Sequence, residues 1–289
     1  MAMGKKQYIL IFSGIVLIAL FALLPKAVII DNTESVESAP TAETHSEDDG
    51  HDHSDHDHQT DAAMGAHDKL PADTQNTLDS LEHAFSSAKA SGEKSTIANT
   101  AYELLFRMNK FDQAAGWKLA SYGQTKNIEE LKEGANAYYQ AFTFAMSEQK
   151  SAKMAKLARE NYQKYIDING EDLDAKVKIG MTYVVSEAPM KGITMIREVL
   201  AKDPEHQLAL SSLGILSIQS GQFDKAIERF EKVKELYPKD MESRFYLAIA
   251  LNSSGKNKEA IEEMKYISKN ADTEEIRLSA TQTLAEWDN

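Results

Sequence analysis

Residues 208–240 read LALSSLGILSIQSGQFDKAIERFEKVKELYPKD, and this stretch decides the fold. Leu210, Leu213 and Gly214 share one face of a first helix. Gly221 marks a turn, Ala226, Phe230 and Val233 share one face of a second helix, and Pro238 stops it. A step of 34 residues in either direction finds the same size classes again. Gly214 falls on Gly180 and Ala248, Leu213 on Ile179 and Leu247, Ala226 on Gly192 and Ala260, Phe230 on Ile196 and Met264, Val233 on Val199 and Ile267, and Pro238 on Pro204 and Asp272. The small positions let two helices of a hairpin approach closely, and the large ones fill the space between hairpins. The period therefore predicts an all-α chain of stacked helical hairpins.

The pattern Leu210-x₂-Leu213-Gly214, Gly221-x-Phe223-x₂-Ala226-x₃-Phe230, Pro238 resembles the tetratricopeptide repeat (TPR), departing where Ser217 replaces the usual aromatic residue. All three units carry the resemblance, so a TPR-type helical-hairpin solenoid is expected over residues 171–272. In the unit beginning at Leu173 the turn is Ser186-Glu187-Ala188-Pro189 where the others have Gly221 and Gly255, which predicts a turn of different shape. A capping helix over 273–289, with Ile276, Leu278, Ala280, Leu284 and Trp287 among polar residues, covers the open end of the stack.

Upstream the signal weakens. Asp73-Thr74 caps a leading helix carrying Leu78, Leu81, Ala84 and Phe85. Two further helices turn at residues 108–110, where Asn109-x-Phe111-x₂-Ala114 matches the Gly221 turn but Lys118 stands in place of Phe230. Longer helices follow over 127–147 and 152–168, the second carrying Ala158, Tyr162 and Tyr165 in the repeat columns and ending at Asn169-Gly170. Residues 73–170 thus read as N-terminal hairpins of degenerate TPR type.

Charge divides the 289-residue chain unevenly. Its formal net charge is −13. Residues 1–30 carry three lysines and no acid, residues 31–68 twelve acids and no lysine or arginine, and the remainder 29 basic and 33 acidic groups. No basic cluster offers a phosphate-binding surface, so nucleic acid is not an expected partner. The chain has no cysteine, which removes disulfides, thiol chemistry, cysteine-bound zinc and a lipid anchor on cysteine.

Residues 8–24, YILIFSGIVLIALFALL, form an uncharged run of about 25 Å as a helix. It follows Lys5 and Lys6, and no small-residue cleavage site succeeds it, so residues 1–30 read as a cytoplasmic tip and an uncleaved transmembrane anchor in place of a signal peptide. The lysines before the run keep the N-terminus in the cytoplasm. In a Gram-negative bacterium the rest of the chain would then be periplasmic, on a single pass of the inner membrane. Residues 31–72 have few large apolar groups and one sign of charge, the composition of a disordered, acidic, His-rich linker. His51, His53, His56 and His58 alternate with aspartates there, a ligand set for zinc, nickel or copper; the competing reading is a solvated spacer. No other cofactor is expected.

No phosphate loop, zinc-protease helix or nucleophile elbow occurs, and His83 and His206 are isolated, so an enzyme is not expected. The TPR resemblance implies instead that the first helix of each hairpin lines an inner groove. It assigns to that groove Val177, Lys178, Met181 and Val184, then Ser211, Ile215 and Ile218, then Phe245, Tyr246 and Ile249. Cochaperones of the family clamp a terminal carboxylate with Lys and Asn, whereas Val177 and Met181 stand at such positions here, so an apolar segment fits better. Alternative occupants are the chain's own terminal helices or a second subunit, giving a homodimer.

The expected function is a membrane-anchored TPR scaffold or adaptor that binds a protein or peptide client, as a periplasmic chaperone or assembly factor. In architecture it resembles single-span periplasmic TPR proteins of secretion or cytochrome c maturation. The alternative is a metal-handling protein that uses the His/Asp linker.

Overall fold

The computed structural model describes residues 70–186 and 188–287. The apolar run at 8–24 and the acidic stretch with its histidines lie outside them. Among the described residues no helix is long and apolar enough to cross a membrane.

Those residues form twelve helices. A leading helix α1 (Ala72–Ser87) precedes five hairpins, α2/α3 (Ser91–Arg107, Phe111–Thr125), α4/α5 (Ile128–Thr143, Glu148–Asn169), α6/α7 (Leu173–Val184, Pro189–Lys202), α8/α9 (Gln207–Gln219, Phe223–Leu236) and α10/α11 (Met241–Ser253, Asn257–Asn270). A last helix, α12 (Glu274–Trp287), packs on α11. From α2 onward each helix packs on the next, so the core is a series of clusters handed from hairpin to hairpin.

Three of the turns share one hydrogen-bond scheme. Leu105, Ser217 and Leu251 each accept through their carbonyl from the N–H five residues on, at 2.9, 2.8 and 2.9 Å. Phe106, Ile218 and Asn252 accept from the N–H three residues on, each at 3.0 Å. The residue at that third place has positive φ: Asn109 at 59°, Gly221 at 72° and Gly255 at 85°. Glycine and asparagine are the residues that adopt this conformation at least cost. The α6/α7 turn differs, as Pro189 suggests: Ser186 folds back onto the Tyr183 carbonyl through both its N–H (3.0 Å) and its hydroxyl (2.8 Å), and Pro189 opens α7.

The helices expected over 127–147 and 152–168 are corrected to α4, which stops at Thr143, and α5, which runs 22 residues from Glu148. The reason is a cap. The Ser147 hydroxyl accepts from the Lys150 N–H at 3.2 Å, starting α5 four residues early. Side-chain caps also begin α4 (Asn127), α6 (Asp172), α8 (His206) and α10 (Asp240). His206 is thus a capping residue, accepting from the Ala209 N–H through Nδ1 at 3.3 Å.

Candidate functional site: the face of the inner helices

Helices α4, α6, α8 and α10 are the first members of successive hairpins and lie beside one another. Of the residues expected to line a groove, these helices carry Met181 on α6, Ile215 and Ile218 on α8, and Phe245 and Ile249 on α10. All five are half-buried. Their bases rest on the core. Met181 packs on the Val177–Ile196–Leu213 cluster, Ile215 and Ile218 on the Ala226–Phe230–Leu251 cluster, and Phe245 and Ile249 on the Ala248–Met264–Ala280 cluster. A side chain already packed in part on the core has less rotamer freedom to lose when its remaining apolar surface is covered. Ile276 and Leu284 of α12 rest on the same cluster as Phe245 and Ile249, so α12 shares that end of the face.

Of the other positions assigned from sequence, Val177 is buried, while Val184, Ser211 and Tyr246 are half-buried and make contacts within the fold. Val177 is fully buried in the core between α6, α7 and α8, so it lines nothing; the residue next to it, Lys178, is half-buried. Val184 faces its own hairpin partner, where a Cβ added to Gly192 would lie 3.0 Å from Val184 Cγ2. Tyr246 stacks on Phe230 with ring centroids 5.8 Å apart and planes at 18°, and burial pushes its hydroxyl up to about 12. The Ser211 hydroxyl is 3.0 Å from that of Ser243, which donates to Asp240 Oδ2 at 2.6 Å. Ser211 therefore ties α8 to α10 before it meets any ligand.

Toward α4 the same face turns polar. Lys178 Nζ donates to Asn136 Oδ1 at 2.7 Å, and the Tyr162 hydroxyl donates to the same oxygen at 2.7 Å. The Lys178 ammonium also lies 5.8 Å from the centre of the Tyr162 ring and 6.0 Å from that of Tyr139. Burial lowers its pKa, with Asp174 opposing. Asn136 bears no sequence signal, because it lies upstream of the columns that recur every 34 residues.

Among the described residues no group of three or more His, Asp or Glu is arranged to hold a metal. The His51–His58 alternation lies outside them.

A tetratricopeptide repeat model matches residues 178–240 and, overlapping, 213–273. No curated protein matches the chain. Among solved structures, a tetratricopeptide repeat protein from Parabacteroides merdae superposes with a TM-score of 0.51 at 18% identity, over 74% of this chain and 84% of its own. A thermophilic TPR protein from Thermus thermophilus gives 0.46 at 16% identity, over 62% and 98%. YrrB, described as a TPR protein with an unusual peptide-binding site, gives 0.39 at 15%, over 72% and 99%. At these identities the likeness is one of fold.

Proposed function

We propose that this chain, which carries tetratricopeptide repeats over residues 178–273, is a non-enzymatic scaffold that holds an apolar segment of a protein partner on the face of its inner helices. What supports the reading is that Met181, Ile215, Ile218, Phe245 and Ile249 are half-buried apolar side chains on α6, α8 and α10, the first helices of three successive hairpins that lie beside one another. Side chains of that kind suit an amphipathic helix or an extended apolar strand.

The residues before the repeats set where this happens. In the proposal, 8–24 anchors the chain in the inner membrane, 31–72 is a tether, and the repeats work in the periplasm as a chaperone or assembly factor. The anchor and tether are supported by composition, the binding face by half-buried apolar side chains on neighbouring helices, and the two are separable.

A photoreactive residue placed at Met181 or Ile215 of the full-length protein should crosslink a partner, and Ile215→Glu should reduce capture about tenfold by placing a charge among these apolar side chains. Labelling confined to the protein's own terminal helices, or to a second copy, would overturn the reading. The alternation at His51, His53, His56 and His58 favours a second reading, metal handling. Replacing 45–67 by an acidic spacer of equal length, free of histidine, separates the two: a scaffold keeps its partner, a metal carrier loses zinc or nickel binding.

A further inference from the structure

A cleft of about 600 Å³ opens between α5 and α7, the second members of their hairpins. Its floor is Ile179 and Tyr183 of α6. At about 100° per residue these lie on the flank of α6 roughly opposite Lys178 and Met181, so the cleft and the inner face are different surfaces.

The walls are cationic. Lys156, Arg159 and Lys164 come from α5 and Lys191 from α7, against two carboxylates, Glu160 and Asp167. Lys156 is 3.9 Å from Glu160, and Asp167 accepts from the Gln163 amide at 2.8 Å. The other three cations have no carboxylate within ion-pair distance among the described residues. The Arg159 guanidinium lies 4.6 Å from the centre of the Tyr183 ring and donates to the Thr182 carbonyl at 3.1 Å. Lys191 Nζ lies 4.1 Å from the same ring and donates to its hydroxyl at 3.0 Å. Lys164 Nζ sits 4.6 Å from the Tyr122 ring. Two cations on one tyrosine repel each other, and in a chain of net charge −13 carboxylates to separate them are plentiful. That, among the described residues, they remain together without one leaves a local positive potential.

We propose that this cleft binds a short acidic peptide segment in extended form, through its Asp or Glu carboxylates. Three features select that ligand. From Lys156 to Asp167 the α5 wall runs about 16 Å, the length of roughly five extended residues, where a single small anion would occupy one cation pair. The cations are spaced along the wall with Glu160 and Gln163 between them, a pattern that suits carboxylates interspersed with backbone amides. The strong negative charge of the whole chain works against a long polyanion such as nucleic acid, while a short segment feels mainly the groups within a Debye length of about 10 Å.

The test uses the full-length protein in detergent and three probes: a short fluorescent Glu/Asp-rich peptide, its Gln/Asn counterpart, and inorganic phosphate. At low ionic strength the acidic peptide should bind at least about tenfold tighter than the amide peptide, and binding should weaken as salt rises. Arg159→Gln with Lys191→Gln should cost about tenfold, and Arg159→Lys with Lys191→Arg should restore most of it. If the first pair disturbs the fold, Lys156→Gln with Lys164→Gln, both on the exposed wall, should weaken binding in the same direction. Ile215→Glu should leave it unchanged, which keeps this site distinct from the inner face. Equal binding of the acidic and amide peptides would overturn the proposal, as would indifference to both pairs of variants, loss in the Ile215 variant, or displacement by phosphate at the concentration at which the peptide itself binds.

Discussion

Hairpins α2/α3 and α8/α9 have the same turn and opposite interiors. Shifted by 112 residues they superpose in sequence at Asn109 and Gly221, Phe111 and Phe223, and Ala114 and Ala226, and their turns are hydrogen-bonded alike. The interiors then diverge. Where α8 has Leu210, Leu213 and Gly214, α2 has Ala98, Ala101 and Tyr102. Where α9 has Phe230 and Val233, α3 has Lys118 and Ser121. In α8/α9 a large ring on the second helix fills the gap left by a glycine on the first. In α2/α3 the ring is on the first helix, and Lys118, only 4% exposed, reaches back over it with Nζ 4.7 Å from the Tyr102 centroid. Lys118 also contacts Asn99 and Glu133, and burial pushes the Tyr102 hydroxyl up to about 12. The hairpin geometry is thus set by turn and helix length, and more than one assignment of large and small residues can fill it.

The sharpest way to break the regular half lies at its smallest column. A Cβ on Gly192 would fall on the Gly180 carbonyl oxygen, a backbone atom that cannot rotate away. Gly192→Ala must therefore push α6 and α7 apart, and it should cost about 3 kcal/mol or more, read as a lower denaturation midpoint. In the irregular half, Gly116 and Gly123 of α3 have open space around them. Alanine there should be neutral or stabilise by up to about 1 kcal/mol through helix propensity. Equal effects at Gly192 and Gly116 would remove the distinction between the two halves.

What sequence revealed follows the same division. The 34-residue step, the glycine turns and the Asn169-Gly170 stop are local or periodic, and each could be read before any contact was known. The polar core of the first hairpins has no period. The Glu130 carboxylate, 3% exposed, accepts from the hydroxyls of Ser95 at 2.5 Å, Ser121 at 2.8 Å and Thr125 at 2.5 Å, and these donors come from two helices at unrelated spacings. On the inner face the family pattern names the adjacent Val177 and Lys178 alike and does not separate the buried residue from the half-buried one, and the contact of Lys178 with Asn136, across 42 residues, has no period to reveal it. The cationic cleft draws on α5, α6 and α7 together, so no single stretch of sequence contains it.

An intermediate effect tests whether the two interiors are interchangeable. Lys118→Phe alone puts a second ring against Tyr102 and leaves Asn99 and Glu133 without their cation; it should cost about 2–3 kcal/mol. Adding Tyr102→Gly opens the space that Gly214 provides for Phe230, whose ring would be 2.6 Å from a Cβ there. The pair should recover at least 1 kcal/mol despite the intrinsic helix cost of glycine, so the double-mutant cycle has a favourable coupling. No coupling would mean that α2/α3 is packed by its own rules and is a hairpin unrelated to the repeats.

The smallest expected effect sits where the two halves join. Lys132 of α4 pairs with Asp172, the cap of α6, at 2.8 Å. Burial would raise the Asp172 pKa, but the Lys132 ammonium and the Ala175 N–H outweigh it and hold the carboxyl below its ordinary value, while the hydrogen bond to Asp172 raises Lys132. The two shifts agree in sign. A depressed carboxyl contributes stability that is complete above its unfolded pKa and is lost as pH falls below about 4; a raised amine contributes stability that is lost only as pH climbs past about 10. Between pH 5 and 9 the pair should therefore be constant. Asp172→Asn keeps a capping oxygen for Ala175 and removes only the ion pair, so it should cost under about 1 kcal/mol at pH 7 for a partly solvated pair and make the acid limb of the stability curve less steep. Asp172→Ala removes the cap as well and should cost about 1 kcal/mol more. If the two variants are equally destabilised and the acid limb keeps its slope, the junction is held by the cap alone, and the charge on Lys132 plays no part in joining the irregular hairpins to the repeats.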